Sequence, residues 1–246
     1  MRETVVVTAS AGTFPGLVDA LRAIPIAAEE APLLTFAPPV DWAPVDAALA
    51  DLGRFGAVAF TSPRSARAFA GRAAGRGVAP VPGPAIWAVG DGTAQALGDR
   101  LGAVRRPDER AVGEQGAAAA LAAALLAAGV GGPVLFPCGD LRRDELPARL
   151  RVGGIAVEEV VCYRSVLAGE SDARRAAERA QVLVVASPSV ADLLARACAP
   201  EVRPALLAVG PTTAAAARAL GWPPAGVAAR PTVEALVAAV RALVRT

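Results

Sequence analysis

The chain alternates short apolar runs with longer amphipathic stretches. Val5 to Thr8, Ala57 to Thr61, Ala85 to Val89, Pro133 to Pro137, Val182 to Ala186 and Ala205 to Val209 are short, largely apolar runs bounded by Gly, Pro, Ser or Thr, and each reads as a strand. Unbroken runs of this length predict strands buried on both faces, as in parallel sheets. Helices are predicted over 14–23, 41–52, 65–74, 93–101, 114–128, 144–150, 171–178, 190–197, 213–220 and 232–244, with short strands at 104–106 and 227–229. The stretch 27–36, interrupted by Pro32, is predicted to be extended and closed by Pro38-Pro39, and 155–163 is predicted to be extended with more than one role. Strict alternation of strand and helix predicts parallel sheets with helices on both faces.

Two turns stand out. Ala88-Val89-Gly90-Asp91-Gly92-Thr93-Ala94 and Ala208-Val209-Gly210-Pro211-Thr212-Thr213-Ala214 each follow an apolar run and open an alanine-rich stretch ending in Leu-Gly. Glycine allows the tight turn, and a threonine hydroxyl at the start of the following helix can cap free N–H groups. The duplication is wider than these turns. Phe60-Thr61-Ser62-Pro63-Arg64-Ser65-Ala66 echoes Val185-Ala186-Ser187-Pro188-Ser189-Val190-Ala191, Arg106-Pro107 echoes Arg230-Pro231, and 5–21 has a looser counterpart in 134–150. The blocks therefore follow one another as X, Y, X, Y, which implies two similar α/β domains. Contiguous pairing would divide the chain near Gly131. Nested pairing would insert the middle into a domain built from both ends.

Composition narrows the chemistry. There is no histidine, and all 25 basic residues are arginine. Serine or cysteine triads with histidine, Schiff-base lysines and a P-loop lysine are excluded. Cys138, Cys162 and Cys198 are scattered, without a C-x-x-C pair, so neither a disulfide framework nor a zinc site is expected. The net charge of +2, with dispersed arginines, gives no reason to expect nucleic acid. The greasiest run, 117–128, is too short for a membrane span and reads as a buried helix face. Met1-Arg2-Glu3 leads straight into the first strand, so no secretory signal is expected and a soluble cytoplasmic protein is the default.

Ligands of open α/β sheets sit at the carboxyl ends of the strands. Three pairs of tips lie there: Thr61-Ser62 with Ser187; Gly90 and Thr93 with Gly210, Thr212 and Thr213; and Pro137-Cys138-Gly139 with Ala9-Ser10-Ala11-Gly12. They offer hydroxyls, backbone N–H groups and helix N-termini, which suit carboxylate or phosphate. The competing reading is that each serine and threonine only caps a helix. Arg64, Arg142, Arg143 and Arg230 lie near predicted tips and could fork onto carboxylates. Tyr163, the sole tyrosine, can donate a proton while neutral. Cys138 stands at a tip, but no base lies near it in sequence. Gly90-Asp91-Gly92 lacks the third glycine of a dinucleotide fingerprint.

Taken together, these blocks resemble the uroporphyrinogen-III synthase family. The resemblance rests on Ala57 to Arg64, Ala88-Val89-Gly90 with Thr93-Ala94, Val134 to Pro137 with Glu145-Leu146, Gly154 and Val157 before Tyr163, Ser187-Pro188-Ser189, and Ala208 to Ala214. It implies two flavodoxin-like α/β domains joined by a two-stranded linker, one of them discontinuous. The terminal domain would comprise 1–35 and 166–246, the inserted domain 39–159, and the linker strands 33–38 and 160–166, with Tyr163 at a hinge facing a cleft. It further implies a monomeric lyase that cyclises and dehydrates hydroxymethylbilane with inversion of the last ring, without metal or organic cofactor. By motif match, Tyr163 would be the acid. Thr61, Ser62, Arg64, Gly90, Thr93, Ser187, Ser189, Gly210, Thr212 and Thr213 would bind substrate. Ala186 departs from the pattern, standing where the other copy has Thr61, and the turn after Ser10 offers few side-chain donors. The alternatives are a non-catalytic two-lobed binder of a small anion and a nucleotide- or flavin-binding α/β protein.

Overall fold

Each apolar run forms a strand whose alternate residues feed two cores. In the computed structural model, which describes residues 4–24, 26–78, 83–98 and 100–244, the strands are β1 (Thr4–Val7), β2 (Ala27–Glu30), β3 (Leu34–Ala37), β4 (Ala57–Phe60), β5 (Ala85–Ala88), β6 (Val104–Arg105), β7 (Val134–Gly139), β8 (Val157–Leu167), β9 (Val182–Val185), β10 (Ala205–Ala208) and β11 (Gly226–Val227). The helices are α1 (Leu17–Arg22), α2 (Ala43–Ala50), α3 (Pro63–Gly75), α4 (Asp91–Leu97), α5 (Glu109–Gln115), α6 (Ala117–Ala127), α7 (Glu145–Val152), α8 (Glu170–Arg179), α9 (Pro188–Ala197), α10 (Pro211–Ala219) and α11 (Val233–Val244). Met1-Arg2-Glu3, and Asp99 within the helix predicted over 93–101, lie outside the described residues. No described helix is long and apolar enough to cross a membrane.

The chain divides into two units, Met1–Thr35 with Val166–Thr246, and Phe36–Ser165. It passes between them in β3 and in β8, which are neighbours in one sheet. The terminal unit has the sheet order β11-β10-β9-β1-β2, with parallel pairing throughout. The inserted unit orders its own strands β8-β7-β4-β5-β6, again in parallel, with β3 added beyond β8. Overlaid by order, β7 corresponds to β1 and β4 to β9. The two sheets are thus the same arrangement, entered at different points of the chain.

In the inserted unit, Val58, Phe60, Ile86 and Leu135 pack under Val45, Leu49, Phe69 and Leu97, while Ala57, Ala59, Val134 and Phe136 pack under Leu121, Leu125, Leu146 and Leu150. Both faces of the sheet are dry, which is why these strands show no polar alternation. The terminal unit repeats the scheme, with Leu183, Val185 and Leu206 on one face and Val182, Val184 and Leu207 on the other.

Three local expectations change. The helix predicted over 114–128 is two helices. Gly116 has φ 85° and ψ 154°, a conformation that glycine adopts without a Cβ penalty, and it splits α5 from α6. The extended stretch 27–36 is two strands in different sheets. The helix predicted over 14–23 starts only at Leu17, after Gly16 at φ 79°.

Candidate active site

The site is built at the carboxyl ends of β7 and β4. These strands are adjacent, and their connections leave in opposite directions along the sheet, which is the switch point where open α/β sheets take ligands. Their ladder pairs Ala57 with Val134 and Val58 with Leu135, and ends there. The sequence supplies the reason. Val134 N donates to Ala156 O on one side of β7, and Gly56 N donates to Pro133 O on the other. By alternation, residue 137 faces β4, and Pro137 has no N–H to donate. The hydrogen-bonded ladder therefore stops ahead of it, while the two strands stay side by side.

A pocket of about 440 Å³ lies at these tips, lined by Thr61 and Ser62 after β4, by Cys138, Gly139, Arg142 and Arg143 at and after β7, by Tyr163 on β8, and by one carboxylate, Glu145 of α7. Tyr163 is half-buried, and its hydroxyl makes no hydrogen bond to the described residues. The ring meets Phe36 edge to face, with centroids 5.7 Å apart. Arg64 stacks its guanidinium 3.3 Å from the Phe36 centroid and lies 5.8 Å from that of Tyr163. No carboxylate of the described residues pairs with Arg64. Burial lowers its pKa from the ordinary arginine value, opposed by the neighbouring Tyr163. This is a partly desolvated cation, without a counter-ion, beside a free phenol. An anion arriving there would be held strongly.

Ser62 is the N-cap of α3, its Oγ accepting from Ser65 N at 3.1 Å, with Pro63 in the first turn. Ser65 Oγ donates to Ser62 O at 3.1 Å. The proton of Ser62 itself is then available to Ser65 Oγ or to the pocket. The serine therefore caps a helix and lines the site at once. Arg142 is drawn to Glu159, which also takes Arg151 Nη2 at 2.6 Å. Arg143 has no carboxylate partner among the described residues. Cys138 is 4% exposed, its Sγ donates to Val160 O at 3.6 Å, and burial pushes its thiol up to about 11. A thiolate nucleophile at neutral pH is excluded.

The other predicted residues lie elsewhere. Gly90 opens on a separate pocket of about 480 Å³ with Asp91, Asp108 and Glu109 in its lining, a poor setting for a polyacidic ligand, and Asp91 is ion-paired to Arg106. Thr93 and Thr213 do not cap their helices. Gly90 and Gly210 take the N-cap position without any side-chain bond, which places both threonines one turn further in, at 3% and 4% exposure. Ser187, Ser189, Gly210, Thr212 and Thr213 belong to the terminal unit. There Ser187 caps α9, with Oγ accepting from Val190 N at 3.3 Å, Ser189 is half-buried, and Thr212 is exposed. Two features went unread in the sequence. Phe36 carries Arg64, and the pair Gly139-Asp140 contacts Tyr163. The proline inside an otherwise buried strand run was the available signal for a break in the sheet at this point.

Solved structures share this fold. A mutant uroporphyrinogen III synthase from the extremely thermophilic bacterium Thermus thermophilus superposes with a TM-score of 0.64 at 16% identity, covering 100% of both chains. The uroporphyrinogen-III synthetase of Helicobacter pylori 26695 superposes with a TM-score of 0.60 at 20% identity, covering 99% of this chain and 100% of that one. Among curated proteins no sequence matches. The family model for uroporphyrinogen-III synthase HemD, however, matches residues 16–238, nearly the whole chain. The chain therefore belongs to the uroporphyrinogen-III synthase family, enzymes of the lyase class.

Proposed function

We propose that this enzyme closes hydroxymethylbilane to uroporphyrinogen III, with Tyr163 as the acid that releases water and Thr61, Ser62 and Arg64 holding substrate beside it. The observation that carries this reading is the free phenol of Tyr163 at the pocket beyond the ends of β4 and β7, with an unpaired guanidinium against the same aromatic cluster. Tyr163 gives its proton to the leaving hydroxyl, and the C–O bond breaks. A C–C bond forms between the carbon left behind and the substituted α-carbon of the last ring; the bond from that α-carbon to its own methylene bridge breaks, the bridge re-forms at the ring's free α-carbon, and the hydrogen on that carbon leaves as the proton that restores the phenol. Arg64 offsets the charge on that phenolate while it exists. The cation made on loss of water closes unaided to the type I isomer. The protein's task is therefore orientation: it presents the substituted carbon of the last ring to the cation.

The substrate's carboxylates suit Arg64 and Arg143, and the hydroxyls and N–H groups at the tips serve the rest. In the terminal unit the proposed contacts are Ser187, Ser189, Thr212 and the backbone around Gly210. A soluble, monomeric enzyme acting in the cytoplasm is the setting this reading assumes. The experiment is an isomer assay: hydroxymethylbilane incubated with the protein and oxidised to porphyrin should give the type III isomer in excess, whereas type I alone would refute the reading.

A further inference from the structure

We propose that Gly139 and Asp140 are positioning residues for Tyr163, fixing where its hydroxyl stands in the pocket. Three observations converge. The register of β7 on β8 pairs Cys138 with Val161 and Gly139 with Tyr163, so β8 carries one extra residue there, and the bulge turns Tyr163 toward β7. Gly139 then lies against the tyrosine ring: a Cβ at this position would stand 2.7 Å from both Oη and Cε2, closer than any real contact allows. Its φ lies outside the left-handed region, so what demands glycine here is space and not backbone conformation.

Asp140 fastens the same segment. Its N–H donates to Tyr163 O at 3.1 Å, and its Oδ1 accepts from Ser165 N at 2.9 Å and from Leu141 N at 2.9 Å. The residues on either side of Arg164 are thereby tied to one aspartate, while Arg164 Nε donates to Pro38 O at 3.2 Å. Tyr163 is held at its backbone by Asp140, against its ring by Gly139, and at its edge by Phe36. A proton donor placed by such a frame is sensitive to shifts well under 1 Å.

The catalytic consequence rests on the reading of Tyr163 as the acid, so the test separates placement from chemistry. Tyr163 is the chain's one tyrosine, and the 3-fluorotyrosine-labelled protein therefore gives a single ¹⁹F resonance. Gly139→Ala and Asp140→Ala are each expected to move that resonance and to lower kcat about ten-fold or more, with KM changed less than about two-fold. Asp140→Asn keeps an oxygen for both N–H donors and should restore resonance and rate. Gly139→Ala placed on Tyr163→Phe should cost nothing further. An unmoved resonance in both variants, or a loss that adds in full to that of Tyr163→Phe, would overturn the proposal. A moved resonance at an unchanged rate supports the positioning role and removes Tyr163 from the chemistry instead. Should Gly139→Ala fail to fold, the Asp140→Ala and Asp140→Asn pair decides alone.

Discussion

Where the inserted unit's central ladder stops short, the terminal unit's continues. The two sheets share strand order and helix placement, and Pro137 on β7 corresponds to Thr8, the residue after β1. Thr8 donates twice to Val184 on β9, from its N–H at 3.0 Å and from Oγ1 at 2.8 Å, and is fully buried. Pro137 can make neither bond to β4. The next positions diverge in the same sense. Ala186, packed against the terminal core, stands where the inserted unit has Thr61, and Ser189 stands where it has Arg64. One architecture thus carries a ladder interrupted by proline in one copy and a ladder continued by threonine in the other. Function resides in a few tip residues and not in the sheet.

The strongest test of this contrast is Tyr163→Phe. A positioned general acid contributes about 10² to 10⁴-fold, so kcat should fall by at least about two orders of magnitude. The hydroxyl makes no hydrogen bond to the described residues, so thermal unfolding should move little. Substituting the terminal unit's Ser189 by Ala should cost no more than a few-fold, read chiefly in KM. A comparable kcat loss at Ser189 would erase the asymmetry between the units.

Pro137→Thr probes the interrupted ladder itself. Threonine restores an N–H directed at β4 and adds the hydroxyl that Thr8 uses in the other unit. The expected result is a gain of about 0.5–1.5 kcal/mol in unfolding free energy for each hydrogen bond formed, together with roughly a ten-fold loss of turnover as the pocket narrows. Full activity alongside raised stability would show that the interrupted ladder between β4 and β7 is irrelevant to the reaction.

How much of this was legible in the chain follows from the range of the interactions. Strands buried on both faces announce themselves as apolar runs, and β4, β5, β9 and β10 begin and end within a residue of their predicted limits. The repeated Ser-Pro turns marked equivalent tips because capping is local: hydroxyl, N–H and proline lie within four residues. Reading Thr93 and Thr213 as caps failed for a local reason too. Gly90 and Gly210 occupy the cap position, and the threonines, three residues on, turn inward. The partnership of Gly139 and Asp140 with Tyr163 depends on a register shift between strands separated by a whole helix, and no local pattern encodes that.

The smallest expected effect separates capping from binding. Ser62 and Ser187 cap equivalent helices through equivalent bonds, Oγ accepting from Ser65 N and from Val190 N. Ser62→Ala and Ser187→Ala should therefore each lower stability by about 1 kcal/mol, the ordinary cost of losing such a cap, and by similar amounts in chemical denaturation. Only Ser62 lines the pocket beside Tyr163, and its proton, within reach of Ser65 Oγ at 3.0 Å, can turn to a ligand there. Ser62→Ala should accordingly raise KM about two- to five-fold, by removing one neutral hydrogen bond to substrate, while Ser187→Ala should leave KM nearer the wild-type value. Equal KM values in the two variants would assign both serines to capping alone. A larger KM effect at Ser187 would place the main grip on substrate in the terminal unit, reversing the contrast drawn between the two sheets.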